Sequence, residues 1–539
     1  MNSTPCSKTA GATEATGDRK SLEHLLPSMT LTASANLARA VIRAESLAQI
    51  AAELVTHFAY RFATLVVRAD EAAFMLDYWF YTIGGGPWLQ LQVKLGTGSR
   101  ELPSISEQVH AIDWHERYAE DLFGLVFTGH PKLGDFVLHE EWPEGANPML
   151  PNFDASAPLV DKEVDPQWQP EKILQTPGAF VMPIGPVYSD YAESAQFFLE
   201  TVGEDVVRMI PRFHFKYRGI EKHAEGRLPD EVLLVAERFS GSSAVAHATA
   251  FCQALETALH ISVPLRAQAI RLVAAELERF RHHLAMLSDI CHSTGMIVPS
   301  ADADILEEDA LRLSARWAGH RYLYGLIAPG GVRRDFSPSE LAALQSDIDA
   351  LTRRAERLRH HLETTSSFLD RFEGVGVVPL ANARRLGLVG PIARASGWQS
   401  DVRLGSPYGF YALATQLGIA PKESLETEGD GYARIRVLFS EIATASAWIR
   451  RAIEHMPDGP IHTQVTSSAG EAMGYVEAPK GAAFHYVQLD GGGLVKRWHI
   501  TSPSFTNWHG FHLAAENFAF QDFPIMMASF GLSIAESDR

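Results

Sequence analysis

Residues 270–287, IRLVAAELERFRHHLAML, decide the fold class of the larger part of the chain. Ile270, Val273, Leu277, Phe280, Leu284 and Leu287 step by three and four, so they form one apolar stripe of a helix that other elements must cover. The same period recurs on either side. Val245, Ala248, Cys252, Leu255 and Leu259 make one further stripe; Leu341, Leu344, Ile348, Leu351, Leu358 and Leu362 make another. The last opens on Ser337-Pro338-Ser339-Glu340, where the serine can cap, the proline suits the first turn and the glutamate can reach back. Stripes of this length predict a bundle with buried helices.

Towards the N-terminus the period drops to two. Leu89, Leu91, Val93 and Leu95 alternate with Gln90, Gln92 and Lys94, and Thr64–Arg68 and Phe74–Tyr81 also suit strands. Residues 1–35 are small and polar and predict a mobile tail. The reading is therefore α+β: a small α+β domain over 36–155, a linker rich in proline and acid over 156–180, and a mainly helical domain over 181–539. Within the latter, Gly474–Trp498 returns to short strands punctuated by glycine.

Composition excludes several functions. The 47 Lys and Arg against 65 Asp and Glu give a formal charge of −18, which leaves no electrostatic footprint for nucleic acid. No apolar run approaches the roughly 18 residues that span a bilayer, and no basic-then-apolar leader opens the chain. The three cysteines, Cys6, Cys252 and Cys291, cannot supply four thiolates, so no all-cysteine iron–sulfur cluster is expected, and their scarcity suits a reducing compartment. Gly84-Gly85-Gly86 and Gly491-Gly492-Gly493 read as turns. Without a G-x-G-x-x-G after a strand no NAD site is expected, and without a G-x-S-x-G elbow no hydrolase.

Two sets of motifs carry a resemblance. Asp113-Trp114-His115-Glu116-Arg117-Tyr118, Asp121-Leu122-Phe123-Gly124 and Gly129-His130-Pro131, followed by Glu141-Trp142-Pro143, taken alone suit a helix ending in a glycine loop. Together they resemble the C subunit of NADH–quinone oxidoreductase (complex I), a docking module that group-four [NiFe] hydrogenases share. Pieces in the second half resemble the complex I D subunit and the [NiFe] hydrogenase large subunit. They run in family order from Pro183-Ile184-Gly185-Pro186 through Tyr217-Arg218-Gly219-Ile220-Glu221-Lys222, Glu237-Arg238-Phe239-Ser240-Gly241, Glu276-Leu277-Glu278-Arg279, Gly390-Pro391-Ile392-Ala393-Arg394 and Val476-Glu477-Ala478-Pro479-Lys480-Gly481 to Ser502-Pro503-Ser504-Phe505. The chain thus resembles a fused C/D-type subunit of complex I or of a formate hydrogenlyase-type hydrogenase. The resemblance implies an oxidoreductase subunit, peripheral on the cytoplasmic side of a membrane. It also implies a small iron–sulfur partner holding a [4Fe-4S] cluster and antiporter-like membrane partners.

Departures from the family pattern shape the chemistry that follows. Where the hydrogenase motif R-x-C-G-x-C-x-x-x-H carries its thiolates, this chain has Ser240 and Ser243, between the retained Arg238 and His247. The second thiolate pair aligns with Ser533 and Glu536. Soft thiolates suit nickel and low-valent iron, and hydroxyls do not replace them, so no metal is expected in this chain. The family's quinone-binding histidine and tyrosine align with Tyr188, which can still hydrogen-bond, and Phe251, which cannot. Tyr188, Glu221, Arg238 and His247 form the candidate catalytic set. Glu276, Arg279 and His283, three and four apart on one helix face, suit either a structural ion-pair network or a proton relay. His282, His360 and His361 read as solvated. Three functions compete: an oxidoreductase subunit passing electrons to a quinone or similar acceptor and coupled to ion movement, a noncatalytic scaffold, and an active hydrogenase, which the serines oppose.

Overall fold

Five strands open the fold: β1 (Thr30–Thr32), β2 (Leu37–Ile42), β3 (Arg61–Ala69), β4 (Phe74–Tyr81) and β5 (Trp88–Leu95), in the spatial order β1-β2-β5-β4-β3. Only β2 and β5 run parallel, joined across the helix α1 (Ala44–His57) and the β3–β4 hairpin. The computed structural model describes residues 22, 24–26, 29–32, 36–70, 73–83, 86–96, 98–157, 162–163, 170, 172–188 and 193–539. Most of the expected tail and much of the expected linker, with Cys6, Gly84 and Gly85, lie outside these residues. The described part of 1–35 corrects the tail reading: Leu22 and Leu26 are buried, and Thr30–Thr32 pairs with β2.

The period-two pattern of β4 serves two cores. Leu76, Tyr78 and Phe80 pack with Leu47, Ala51 and Leu54 of α1, whereas Trp79 and Tyr81 pack with Phe484 and Tyr486 of the large domain. The sheet is therefore covered on both faces, which is why Asp77 and Gln90, on the polar side of the pattern, are buried too. The motif helix α2 (Asp113–Phe123) stops at Gly124, whose φ of 68° is the left-handed cap that glycine tolerates best.

A second antiparallel sheet, β6 (Ala179–Ile184), β7 (Gln196–Val202) and β8 (Asp205–Arg212), adds Phe518–Ala519 at its edge. The bundle follows: α3 (Ala244–Ala258), α4 (Leu265–Ser293), α5 (Ile297–Ala318), α6 (Pro338–Glu363) and α7 (Gly431–Glu454). The Ser337 hydroxyl accepts from Glu340 N while the Glu340 carboxylate accepts from Ser337 N, the capping box expected for α6. All six stripe residues of α4 are buried, and so are Glu276, Glu278, Arg279, Arg281, His282 and His283. Flanked by α5, α7, α3 and the C-terminal sheet, α4 has no exposed residue between Arg266 and Ser288. This corrects His282, expected to be solvated; His360 and His361 are exposed.

Strands β9 (Gly470–Ala478), β10 (Gly481–Leu489) and β11 (Val495–Thr501) form the antiparallel sheet that lies on α3. A Cβ on Gly474 would sit 2.0 Å from the Ala250 carbonyl oxygen, so glycine is what allows β9 to approach the helix. The helices α8 (Pro503–Ala514) and α9 (Ile534–Asp538) close the chain. Trp114 of α2 stacks on His509 of α8 at 5.4 Å and meets Phe505 edge-on, locking the motif helix to the large domain. Among the described residues no helix is long and apolar enough to cross a membrane.

Candidate functional site

Ser240, at the end of the helix Pro229–Arg238, and Glu536 in α9 are 296 positions apart in sequence, yet their side chains meet at 3.3 Å. Ser533 caps α9 by accepting the Glu536 backbone N–H at 3.2 Å, and Ser243 precedes the first turn of α3. Three of the four positions aligned with thiolate ligands are thus drawn together; the Ser243 hydroxyl is buried with no hydrogen-bond partner among the described residues.

A directed chain of donors ends on Glu536. The Trp498 indole can only donate, and it donates to His485 Nδ1 at 3.2 Å. His485, which burial and then His247 hold well below the usual imidazole range, is neutral, so its proton is on Nε2. That Nε2–H donates to His247 Nδ1 at 3.0 Å, leaving His247 Nε2–H to donate to Glu536 Oε1 at 3.1 Å. Ser504 donates to the other carboxylate oxygen, Lys480 Nζ lies 3.9 Å from it, and Lys480 also bonds Ser242. Burial pushes the Glu536 carboxyl up, but Lys480, His247 and Ser504 outweigh it and hold the group well below the usual carboxylate range. The pocket is knit together by its own side chains. Its donors are hydroxyls, imidazole, ammonium and carboxylate, a set that does not fit a nickel–iron centre. Cys252 and Cys291 are buried in the cores of α3 and α4, with thiols that burial pushes up. No group of three His, Cys, Asp or Glu among the described residues is arranged to hold a metal ion.

Glu221 occupies a neighbouring ion cluster. Arg497 Nη2 reaches it at 2.9 Å, His499 Nδ1 at 3.3 Å, Arg539 Nη1 at 3.4 Å and the Ile500 N–H at 3.0 Å. Burial raises its pKa, but His499, Arg497 and Arg539 prevail and keep it ionised. The Arg539 guanidinium also lies 4.5 Å from the Tyr118 ring, so the motif helix α2 forms a wall of this cluster.

Glu276, Arg279 and His283 belong to a third, larger network. Arg403 Nη1 binds both Glu276 oxygens at 2.8 and 3.0 Å, Tyr411 donates to Glu276 at 2.6 Å, and Arg279 Nε lies 3.3 Å from it. His283 meets Glu441 at 2.9 Å; Arg394 bridges Glu441 at 2.6 Å and Glu477 at 2.8 Å; Arg403 holds Asp401 at 2.5 Å. Three arginines face four carboxylates, and all seven are at most 2% exposed. Glu477 has the fewest cation contacts; burial, reinforced by Asp401, raises its pKa against the pull of Arg394. Of the four carboxyls, Glu477 is therefore the one pushed furthest toward its neutral form.

The remaining candidates lie apart. Tyr188 is half-buried and donates to the Ala195 carbonyl at 2.9 Å. Arg238 is exposed, its guanidinium beside Glu237 at 3.4 Å and over the Tyr324 ring at 4.9 Å. Phe251 is fully buried against Trp498. Sequence reasoning did not single out Lys480, His485, Arg497, His499, Ser504 and Arg539. Polar residues at core-facing positions of β10 and β11 were the available signal for the two histidines.

Comparison with known proteins supports the same assignment. The family described as "Respiratory-chain NADH dehydrogenase, 30 Kd subunit" matches residues 40–158, and its 49 Kd counterpart matches 295–469 and 462–539. "Nickel-dependent hydrogenase" matches 218–288. Formate hydrogenlyase subunit 5 of Escherichia coli K12 is 29% identical over 460 residues, covering 84% of this chain and 79% of that protein. An NADH-quinone oxidoreductase C/D protein of Gluconacetobacter diazotrophicus is 27% identical over 520 residues, covering 88% and 85%. Membrane-bound hydrogenase subunit alpha of Pyrococcus furiosus is 28% identical over 375 residues, covering 66% and 87%. With a 30-kDa-type domain followed by a 49-kDa-type domain in one polypeptide, the chain belongs to the fused C/D-type oxidoreductase subunits shared by complex I and group-four hydrogenases.

Proposed function

We propose that this chain is a hydrogenase-related large subunit of a membrane-bound, complex I-like oxidoreductase that works without a nickel–iron centre of its own. In this reading it helps couple electron transfer, to a quinone or similar acceptor, to ion translocation. The observation that carries the reading is Glu536. At a position where the related hydrogenases need a thiolate, a buried carboxylate accepts from His247, Ser240 and Ser504 beside Lys480. The resemblance further implies a small iron–sulfur partner with a [4Fe-4S] cluster, antiporter-like membrane partners, and a peripheral place on the cytoplasmic side.

In such a complex this chain's residues would act through charge. The Glu276–Arg279–His283 face joins a network in which burial raises the proton affinity of Glu477 among three arginines, so a charge arriving nearby would change that affinity further. Glu221 would serve as a fixed anion rather than as a proton carrier, because Arg497 and Arg539, with hydrogen bonding to His499, hold it ionised.

The test is activity of the purified complex. Reduction of a soluble quinone without hydrogen uptake is the expected result; hydrogen uptake would overturn the metal-free reading. A noncatalytic scaffold is the second reading, favoured by the burial of Phe251 and the engagement of the Tyr188 hydroxyl with Ala195. It predicts no quinone reduction and no effect of Tyr188→Phe.

A further inference from the structure

The Glu536 pocket carries a cation of its own. Lys480 lies in the two-residue turn between β9 and β10, where Ala478 pairs with Gly481, and Asn507 Nδ2 donates to its carbonyl at 3.3 Å. The side chain therefore enters the pocket from a point held on two sides. Lys480 is 4% exposed and Glu536 0%, and the ammonium lies 3.9 Å from Glu536 Oε2. A buried carboxylate that loses its cation is left uncompensated, which is far more costly than breaking a surface pair.

Two hydroxyls join the same pair by a second route. An ammonium can only donate, so Ser242 Oγ accepts from Lys480 Nζ and keeps its own proton to give. An ionised carboxylate can only accept, so Ser240, at 3.3 Å, donates to Glu536 Oε1. The 3.1 Å contact between the two serines is then Ser242 donating to Ser240. Every proton on this route points from Lys480 towards Glu536, the polarity that a cation at one end and an anion at the other impose. Arg281 and Glu278 also act on Lys480, with opposite signs, but the Arg281 guanidinium turns to the Ser242 carbonyl at 3.4 Å and to the Tyr322 ring at 4.9 Å.

We propose that the Lys480 ammonium is the resident cation of this pocket: tethered to the chain, it supplies the positive charge that a metal ion supplies in nickel-dependent hydrogenases, and its removal opens a site for a small alkylammonium ion. This rests on the metal-free reading above. Lys480→Ala removes the atoms of propylammonium. Thermal midpoints of the full chain are measured with propylammonium chloride, with NaCl at equal ionic strength and with 1-propanol, which has the size without the charge. Lys480→Ala should melt below the wild type and recover saturably with propylammonium alone, whereas the wild type should respond to propylammonium no more than to NaCl. Lys480→Met, which keeps the bulk of the stem without the charge, should melt low and gain nothing from propylammonium. Its shift should shrink when Glu536→Gln is also present, because the anion it served is gone. Recovery of Lys480→Ala by 1-propanol as well as by propylammonium, or by neither, would overturn the proposal. Should Lys480→Ala fail to fold, the pair of Lys480→Met and Glu536→Gln decides: equal shifts in both backgrounds, or no shift in either, would overturn it. One nickel per chain in the purified complex would overturn this proposal and the metal-free reading together; a missing charge coupling in nickel-free protein overturns this proposal alone.

Discussion

Glu441 and Glu477 share Arg394, yet their environments push their pKa values in opposite directions. Glu441 receives Arg394, His283 and Arg279, and these outweigh burial and hold it ionised; burial instead pushes Glu477 up to about 7, toward its neutral form. Gln copies a neutral acid, so Glu477→Gln is expected to shift stability by less than about 1 kcal/mol. Glu441→Gln leaves Arg394 under-paired and is expected to cost about 3–5 kcal/mol, the usual penalty for breaking a buried pair. Urea unfolding of the two variants side by side checks the contrast. Glu278 offers a pH test. Burial pushes its carboxyl up to about 7 against the Val245 and Ala246 N–H groups and Arg281. Between its unfolded value of 4.5 and about 7 the folded chain keeps a proton that the unfolded chain has released, so this group's contribution to stability is full below 4.5 and falls as pH rises through that window. Relative to wild type, Glu278→Gln should therefore gain roughly 2–3 kcal/mol between pH 5 and pH 8. A difference that stays constant with pH would contradict this. The motif in the sequence singles out Ser240, Ser243, Ser533 and Glu536, and three of the four meet in the fold. Lys480 and Ser504 reach the same pocket, and Arg539 the neighbouring Glu221 cluster, from other parts of the chain, and no local spacing announces such meetings.

At the scale of elements, the hydrophobic period placed α4 and α6, and the strand period placed β4 and β5, because each has an apolar set in the register its neighbours require. What the pattern did not carry was coverage of the second face. On α4 only His282 reads as solvated, because a polar residue beside an apolar stripe usually marks a wet surface. Here Arg394, Arg403, Glu441 and Glu477 arrive from later elements and neutralise the polar side of the helix. The capping box of α6 is solvent-exposed and local, so Ser337→Ala should cost about 1 kcal/mol, read from the thermal midpoint, with no effect on the buried network. Gly474→Val should be far worse, since the added carbon atoms would collide with the Ala250 carbonyl and lift β9 from α3. Its expected signature is loss of soluble protein rather than a modest shift in melting.

Across the whole molecule, the N-terminal module is built into the large domain rather than tethered to it. Trp79 and Tyr81 share a core with Phe484 and Tyr486, Trp114 stacks on His509, and Tyr118 walls the Glu221–Arg539 cluster. Trp114→Ala should cost about 3–5 kcal/mol and expose the seam to limited proteolysis near α2. This union also bears on the functional reading, because the pocket around Glu536 is lined by side chains of this chain. The functional reading depends on replacement of the thiolates by oxygen and nitrogen groups centred on Glu536. The most direct measurement is the nickel content of the complex purified without oxygen. Nickel well below one atom per copy of this chain is predicted, and one nickel per chain, retained through purification, would contradict the claim.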